Sequence, residues 1–259
     1  MDPHDSFADR ISAIKSEKDS NIVLAVDPTY RIENLLDYVC NIISQLHDYV
    51  CAIKLNFHVI LPLSKNELRK ITEIAHNYNL QIIADLKLND IFDTNQVTIK
   101  YLSSLGFDCV IVNPFIGKTN LQSTVDYAHS LNFGIISLVY MSHADAIEGY
   151  GGSLSIQNGL GKWKNSKPVY RIFYDNSKSV GVDGVVVGGN RLNILKELAS
   201  KDNETVPIYS PGIITQGGDI NKALQAGSTY LIIGRAIINS DSPIDKIKNI
   251  YDLIKDHEF

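Results

Sequence analysis

The chain has 259 residues, 44% of them hydrophobic and 20% charged, which is ordinary globular composition and lies outside the disordered class. Its 24 basic and 29 acidic side chains leave a formal charge of -5, which gives no support to broad nucleic-acid or anionic-membrane binding but leaves room for a local phosphate pocket. No apolar run reaches the roughly 20 residues of a membrane span, and the polar, acidic start MDPHDSFADR does not read as a secretory leader.

An extra helix is expected at about 7–18, ahead of the first strand and placed to close the floor of a barrel. The apolar run 22–26 predicts a strand that ends in Asp27. At 32–46, Leu35, Leu36, Val39, Ile42, Ile43 and Leu46 recur at the spacing of one helix face. Strand 50–55 follows and carries Lys54 near its end. Ser64 and Glu67 form a capping box ahead of Leu68, Ile71 and Ile74. Strand 81–86 then runs into Asp85, Lys87 and Asp90, and strand 109–112 into Asn113. Strand 134–139 leads to Ser142. Residues 148–168 break the rhythm with a Gly-, Ser- and Asn-rich excursion that holds the one tryptophan, Trp163; a lid and an irregular surface insertion both fit it. Strands at 184–187, 208–210 and 230–233 complete the series, and Asp-Ser-Pro opens a last helix at 241–254.

Eight nearly continuous apolar strands separated by helical segments predict an α/β chain folded as one (β/α)8 TIM barrel domain, with a doubly wound sheet as the alternative. The barrel is favoured because Asp27, Lys54, Asp85, Lys87, Asn113, Ser142 and Arg235 all fall at or just past the C-terminal ends of predicted strands. That rim is where barrels build active sites. Cys40, Cys51 and Cys109 sit in apolar runs without CxxC spacing and read as reduced core thiols of a cytoplasmic protein. In that compartment the sequon at Asn203 has no role.

Side chains alternate along a strand, so Asp85 and Lys87 should share the inward face while Ala84 and Leu86 face the helices. With Asp27, Lys54 and Asp90 they make an array of alternating sign, in which each opposite neighbour favours the charged form. A salt-bridge network that only holds the barrel together is the structural alternative. Functionally, such an array can stabilise a developing carbanion and protonate it from a lysine. The second constellation is SPGIITQGGD (210–219) with LIIGRA (231–236), at the ends of strands seven and eight. Gly212, Gly217, Gly218 and Gly234 permit close backbone approach, while Gln216 and Arg235 supply an amide and a guanidinium for a phosphate. Three decoys fall away. Gly117-Lys118-Thr119 lacks the Walker glycine, since Val112 stands there; Gly188-Gly189-Asn190 is not a dinucleotide fingerprint; and the seven histidines show no metal-ligand spacing.

DLKLNDIFDTN (85–95) resembles the DxKxxDIxxT signature of the orotidine 5'-phosphate decarboxylase family. LAVD (24–27), AIKL (52–55), YMSH (140–143), SPGI…TQGGD and IIGRA resemble that family's other motifs, in the same order over nearly the whole chain. The resemblance implies decarboxylation of orotidine 5'-monophosphate to UMP by a monofunctional enzyme, with no metal or organic cofactor. It implies Lys54, Asp85, Lys87 and Asp90 as the catalytic array, with Lys87 the proton donor to C6. It further implies Asp27 and Lys54 at the ribose, Ser142 at the pyrimidine, and Pro211, Gln216, Gly234 and Arg235 at the phosphate end. Asp90 and Thr94 would reach a neighbouring site in a homodimer. Two departures stand out: Ala144-Asp145 replaces the Pro-Gly that follows Met-Ser-His in many members, and the excursion is longer and richer in glycine. Two competing functions remain: a magnesium-dependent sibling barrel (3-keto-gulonate-phosphate decarboxylase or hexulose-phosphate synthase), and a nucleotide-binding barrel without activity.

Overall fold

The computed structural model describes residues 5–28, 32–155, 166–200 and 206–256. Eight strands close into a parallel barrel: β1 (Ile22–Ala25), β2 (Ala52–Asn56), β3 (Gln81–Leu88), β4 (Cys109–Val112), β5 (Gly134–Tyr140), β8 (Gly184–Val187), β9 (Ile208–Ser210) and β10 (Tyr230–Ile233). β10 pairs with β1, Ile22 beside Leu231, so no edge strand is left in the barrel. Both faces of most strands are buried, which explains why they read as continuous apolar runs. The expected (β/α)8 barrel is thus the observed fold, and the doubly wound alternative is excluded by closure.

Helices α2 (Leu35–Leu46), α4 (Lys65–Asn77), α5 (Phe92–Ser104), α6 (Lys118–Ser130), α8 (Val169–Val180) and α12 (Pro243–Lys255) carry much of the outer wall, with the shorter α3 (Phe57–Ile60), α9 (Leu192–Ala199), α10 (Ile220–Gln225) and α11 (Arg235–Ile238) between strands. α2 starts three residues later than its apolar spacing predicts, because the Asn34 side chain accepts from Asp37 N–H and caps it there. α4 has the predicted capping box, with Ser64 and Glu67 bonding reciprocally. α12 begins at Pro243 behind a Ser242 cap rather than at 241.

α1 (Phe7–Lys18) lies across the N-terminal ends of the strands. Phe7 presses against Gly134 so closely that a Cβ there would lie 2.5 Å from the ring. Arg10 Nε donates to Gln81 Oε1 at 2.8 Å. Lys18 Nζ donates to the carbonyls of His47 and Tyr78, the residues that end α2 and α4. A lysine there offsets two helix C-terminal dipoles at once.

Within the excursion, the short helix α7 (Ala146–Gly149) leads to Ser153–Leu154 (β6), which pairs antiparallel with Lys167–Pro168 (β7). Trp163 and the sequon at Asn203 lie outside the described residues.

Candidate active site

The C-terminal rim encloses a cavity of about 280 Å³. Its lower wall is apolar, built by Ile111, Leu138, Val186 and Ile232; its upper wall is charged on one side and glycine-rich on the other.

On the charged side, β2 carries Lys54 inward. Its Nζ donates to Asp85 Oδ2 at 2.8 Å and to Asp27 Oδ2 at 3.1 Å. Lys87 Nζ donates to the other oxygen of Asp85 at 2.7 Å. Asp85 therefore lies between two ammonium groups. Burial opposes the charge on Asp85, but Lys54 and Lys87 outweigh it and hold the carboxyl below its ordinary range. Burial likewise opposes the charge on Lys54, and Asp85 and Asp27 outweigh it, so this lysine stays protonated above the usual value. Lys54's side chain is 5% exposed and Lys87's is 38%, so Lys87 is the ammonium open to the cavity.

Simple alternation does not deliver Lys87. It sits at φ +46°, and the β3–β4 register shifts between Ala84 and Leu88. The chain leaves regular pleating here, and the left-handed residue aims its ammonium back over Asp85. A non-glycine residue at positive φ is uncommon and typically marks a functional constraint.

Of the buried side-chain oxygens without a hydrogen-bond partner among the described residues, two belong to the cavity wall: Asp27 Oδ1 and Asn56 Oδ1. A buried acceptor left unmade costs about 1–3 kcal/mol, so both oxygens are poised for a ligand that brings donors. Asn56 escaped the sequence reading because the second strand was expected to stop at 55. It stands two residues past Lys54, on the same face.

On the opposite side, Pro211, Gly212, Thr215, Gln216, Gly234 and Arg235 line the cavity. A Cβ on Gly234 would come within 2.7 Å of the Ala25 carbonyl, so the backbone approach there requires glycine. Gly218 N–H donates to Gly212 O, and Ile214 N–H to Gly218 O, closing the loop on itself. Ile214 has φ +68°, and Thr215 N–H donates to Ile213 O at 2.8 Å across it. That is a γ-turn of the strained, positive-φ kind, centred on a β-branched residue. Ser142 and His143 enter from the end of β5 and face this loop.

Asp90 and Thr94 are exposed and do not line the cavity of one chain. Asp90 Oδ1 accepts from Ile91 N–H at 2.7 Å, and its carbonyl accepts from Asn95 Nδ2 at 2.7 Å, which fixes the loop at the start of α5. Among the described residues no group of three or more His, Cys, Asp and Glu could hold a metal ion, and no helix is long and apolar enough to cross a membrane.

Residues 20–250 match the family model described as orotidine 5'-phosphate decarboxylase / HUMPS family. The chain is 32% identical over 234 residues to the orotidine 5'-phosphate decarboxylase of Pyrococcus abyssi, covering 90% of this chain and 99% of that protein. It is similar to the solved structure of orotidine 5'-monophosphate decarboxylase from Methanocaldococcus jannaschii in complex with the inhibitor BMP. There the TM-score is 0.75 at 27% identity, over 90% of this chain and 98% of the other. The Plasmodium berghei enzyme shares the fold, with a TM-score of 0.80 at 20% identity over 98% of this chain and 100% of that one.

Proposed function

The chain belongs to the orotidine 5'-phosphate decarboxylase / HUMPS family, and from that premise we propose that it converts orotidine 5'-monophosphate to UMP and CO2 without a metal or organic cofactor, in the last step of UMP synthesis. The observation that carries this reading is Asp85 held ionised between Lys54 and Lys87. The array faces an apolar pit on one side and the glycine-rich grip on the other.

In this reading the phosphate binds between Gln216, Gly234 and Arg235, and Arg235 supplies a charge-assisted fork. Asp27 Oδ1 and Asn56 Oδ1 accept from ribose hydroxyls, with Lys54 beside them. The pyrimidine lies toward Ser142, which brings its C6 carboxylate next to Asp85. Cleavage of the C6–carboxylate bond releases CO2 and leaves the electron pair on C6. The Lys87 ammonium stabilises that pair, donates a proton to it, and is reprotonated from solvent. Binding energy from the remote phosphate offsets the cost of bringing two anions together at the reacting end. Lys54 occupies the facing oxygens of Asp27 and Asp85, where a divalent cation would have to bind, and this supports the metal-free reading.

The reading includes a homodimer in which Asp90 and Thr94 complete the neighbour's site. Thr94, Val97 and Tyr101 recur at i, i+3 and i+7 on α5, and all three are exposed, as are Ile91 at its cap and Phe57 and Leu61 nearby in sequence to β2. An exposed apolar surface continuous with the two polar residues is what a partner subunit would cover. It also places the enzyme in the cytoplasm, in keeping with three free, buried thiols.

The test is direct. Purified protein is mixed with orotidine 5'-monophosphate, with and without EDTA, and the ultraviolet absorbance change is followed. Turnover that survives EDTA supports the reading. A folded protein that is inactive here but acts on a sugar phosphate with magnesium would replace it with the sibling activity.

A further inference from the structure

The end of β8 runs into Gly188-Gly189-Asn190-Arg191, a segment that touches both halves of the rim without carrying a charge into the cavity. Gly188 N–H donates to the carbonyl of Tyr140 at 2.9 Å, and Gly189 N–H to that of Pro211 at 2.8 Å. The segment is therefore stitched to the end of β5 on one side and to the loop after β9 on the other. Asn190 completes the link. Its Nδ2 donates to the carbonyl of Ser142 at 2.8 Å and to the carbonyl of Gln216 at 3.3 Å.

Ser142 and Gln216 both line the cavity, one at its base end and one at its phosphate end, and Asn190 does not line it. The Asn190 Oδ1 is buried and has no partner among the described residues. Turning the amide over would point that oxygen at two carbonyl oxygens, so the donor orientation is the favourable one. Among the described residues the amide acts as a two-pronged donor.

Packing makes the link stiff. A Cβ on Gly188 would lie 2.7 Å from Ser142 Cα, and one on Gly212 would lie 2.5 Å from Ser142 Cβ and 2.8 Å from Gln216 Oε1. Ser142 is thus wedged between the two glycine segments. Arg191 adds a second hold, donating to the carbonyl of His143 and lying 5.1 Å over the Tyr140 ring.

We propose that Asn190 is a positioning residue that couples the base end of the site to its phosphate end. When the loop 210–219 closes on a phosphate, the Gln216 carbonyl moves, and the Asn190 amide transmits that movement to Ser142. Coupling of this kind is reciprocal: occupancy of the base end pre-sets the phosphate loop, and the reverse. The inference rests on the decarboxylase reading above.

The test compares a ligand that engages both ends with one that engages only the base and ribose. UMP and uridine are measured as inhibitors of orotidine 5'-monophosphate turnover by the wild type, by Asn190→Leu (similar shape, no donors) and by Asn190→Ala. Wild-type turnover is established first. Its absence would remove the decarboxylase reading, whereas an active wild type isolates the inference. With two neutral hydrogen bonds lost, the inhibition constant of UMP should rise about tenfold or more, while that of uridine moves by less than about threefold. Equal factors for the two ligands would assign Asn190 to local packing of the base loop and overturn the coupling, as would no change in either. Thermal melting of each variant shows that the folded form is being measured. If the leucine variant does not fold, the alanine variant decides by the same ratio.

Discussion

The two ends of this barrel both bury aspartates, and they use them in opposite ways. At the floor, Asp108 Oδ2 accepts from the backbone N–H of Ile82 at 2.8 Å and pairs with His76 Nε2 at 2.9 Å. The device repeats at Asp183, whose Oδ2 accepts from Ile135 N–H at 2.8 Å and pairs with His129 Nε2 at 3.0 Å. In each case the acid precedes a strand, the donor N–H belongs to the previous barrel strand, and the histidine lies in the last turn of the helix leading into that strand. At the mouth, Asp85 takes its hydrogen bonds from two lysine side chains, while Asp27 keeps a buried oxygen with no partner among the described residues. Burial alone does not separate a structural carboxylate from a catalytic one. The source of its donors does: backbone donors lock strands together, whereas side-chain donors with spare valence can be re-aimed at a ligand.

That contrast can be broken first at the mouth. Lys87→Ala removes the ammonium that is open to the cavity and, with it, the proposed proton donor. Turnover of orotidine 5'-monophosphate should fall by about 10⁴-fold, the upper range for a positioned general acid, while the melting temperature changes little. Near-normal kcat would end the assignment of Lys87. Arg235→Ala is expected to have the next largest effect. It should raise KM for the phosphorylated substrate by about a hundredfold, with kcat less affected, because it removes a charge-assisted fork from the proposed phosphate grip. An unchanged KM would take Arg235 out of the site.

The sequence carried the barrel plainly, because strands covered on both faces become continuous apolar runs, and it carried Lys54, Asp85 and Lys87 because charge at the end of such a run is conspicuous. Other features had no local signal. The positive φ of Lys87 comes from a register shift against β4, which only pairing defines. Asn190 follows a glycine pair that matches no fingerprint, and its partners Ser142 and Gln216 are 48 and 26 residues away. The floor pairs join residues 32 and 54 apart, His76 to Asp108 and His129 to Asp183, so no spacing rule could couple them. Asp90 and Thr94 were legible as a motif, yet one chain leaves both exposed and outside the cavity, since their proposed role lies in a second subunit.

The floor offers a smaller and opposite effect. Asp183 is buried, and truncating it leaves the Ile135 N–H without its acceptor. Asp183→Ala should lower the free energy of unfolding by about 1–3 kcal/mol in urea titrations. The same variant, held below its transition, should keep the wild-type kcat, because nothing at the rim has moved. A variant with wild-type stability and reduced kcat would erase the distinction between the two ends.

The smallest expected effect has a definite sign. A hydrogen bond to Asp108 raises the pKa of His76, partly opposed by burial, and a hydrogen bond to Asp183 does the same for His129. A histidine whose pKa is higher folded than unfolded contributes fully below its unfolded value of about 6.5 and loses that contribution as pH rises through its folded value. Both rings are about two-fifths exposed, 42% and 43%, so solvent screening keeps their joint contribution to about 1 kcal/mol or less. Unfolding free energy measured from pH 6 to pH 8 should therefore fall with rising pH, and the fall should flatten in a His76→Gln, His129→Gln double variant. Asp85 responds in the other direction. Its lowered pKa stabilises the fold above the ordinary carboxylate range of about 3.9 and is lost only in acid. The floor thus weakens toward alkaline pH and the mouth toward acid, and a double variant that keeps the full slope between pH 6 and 8 would assign that slope to groups other than the two histidines.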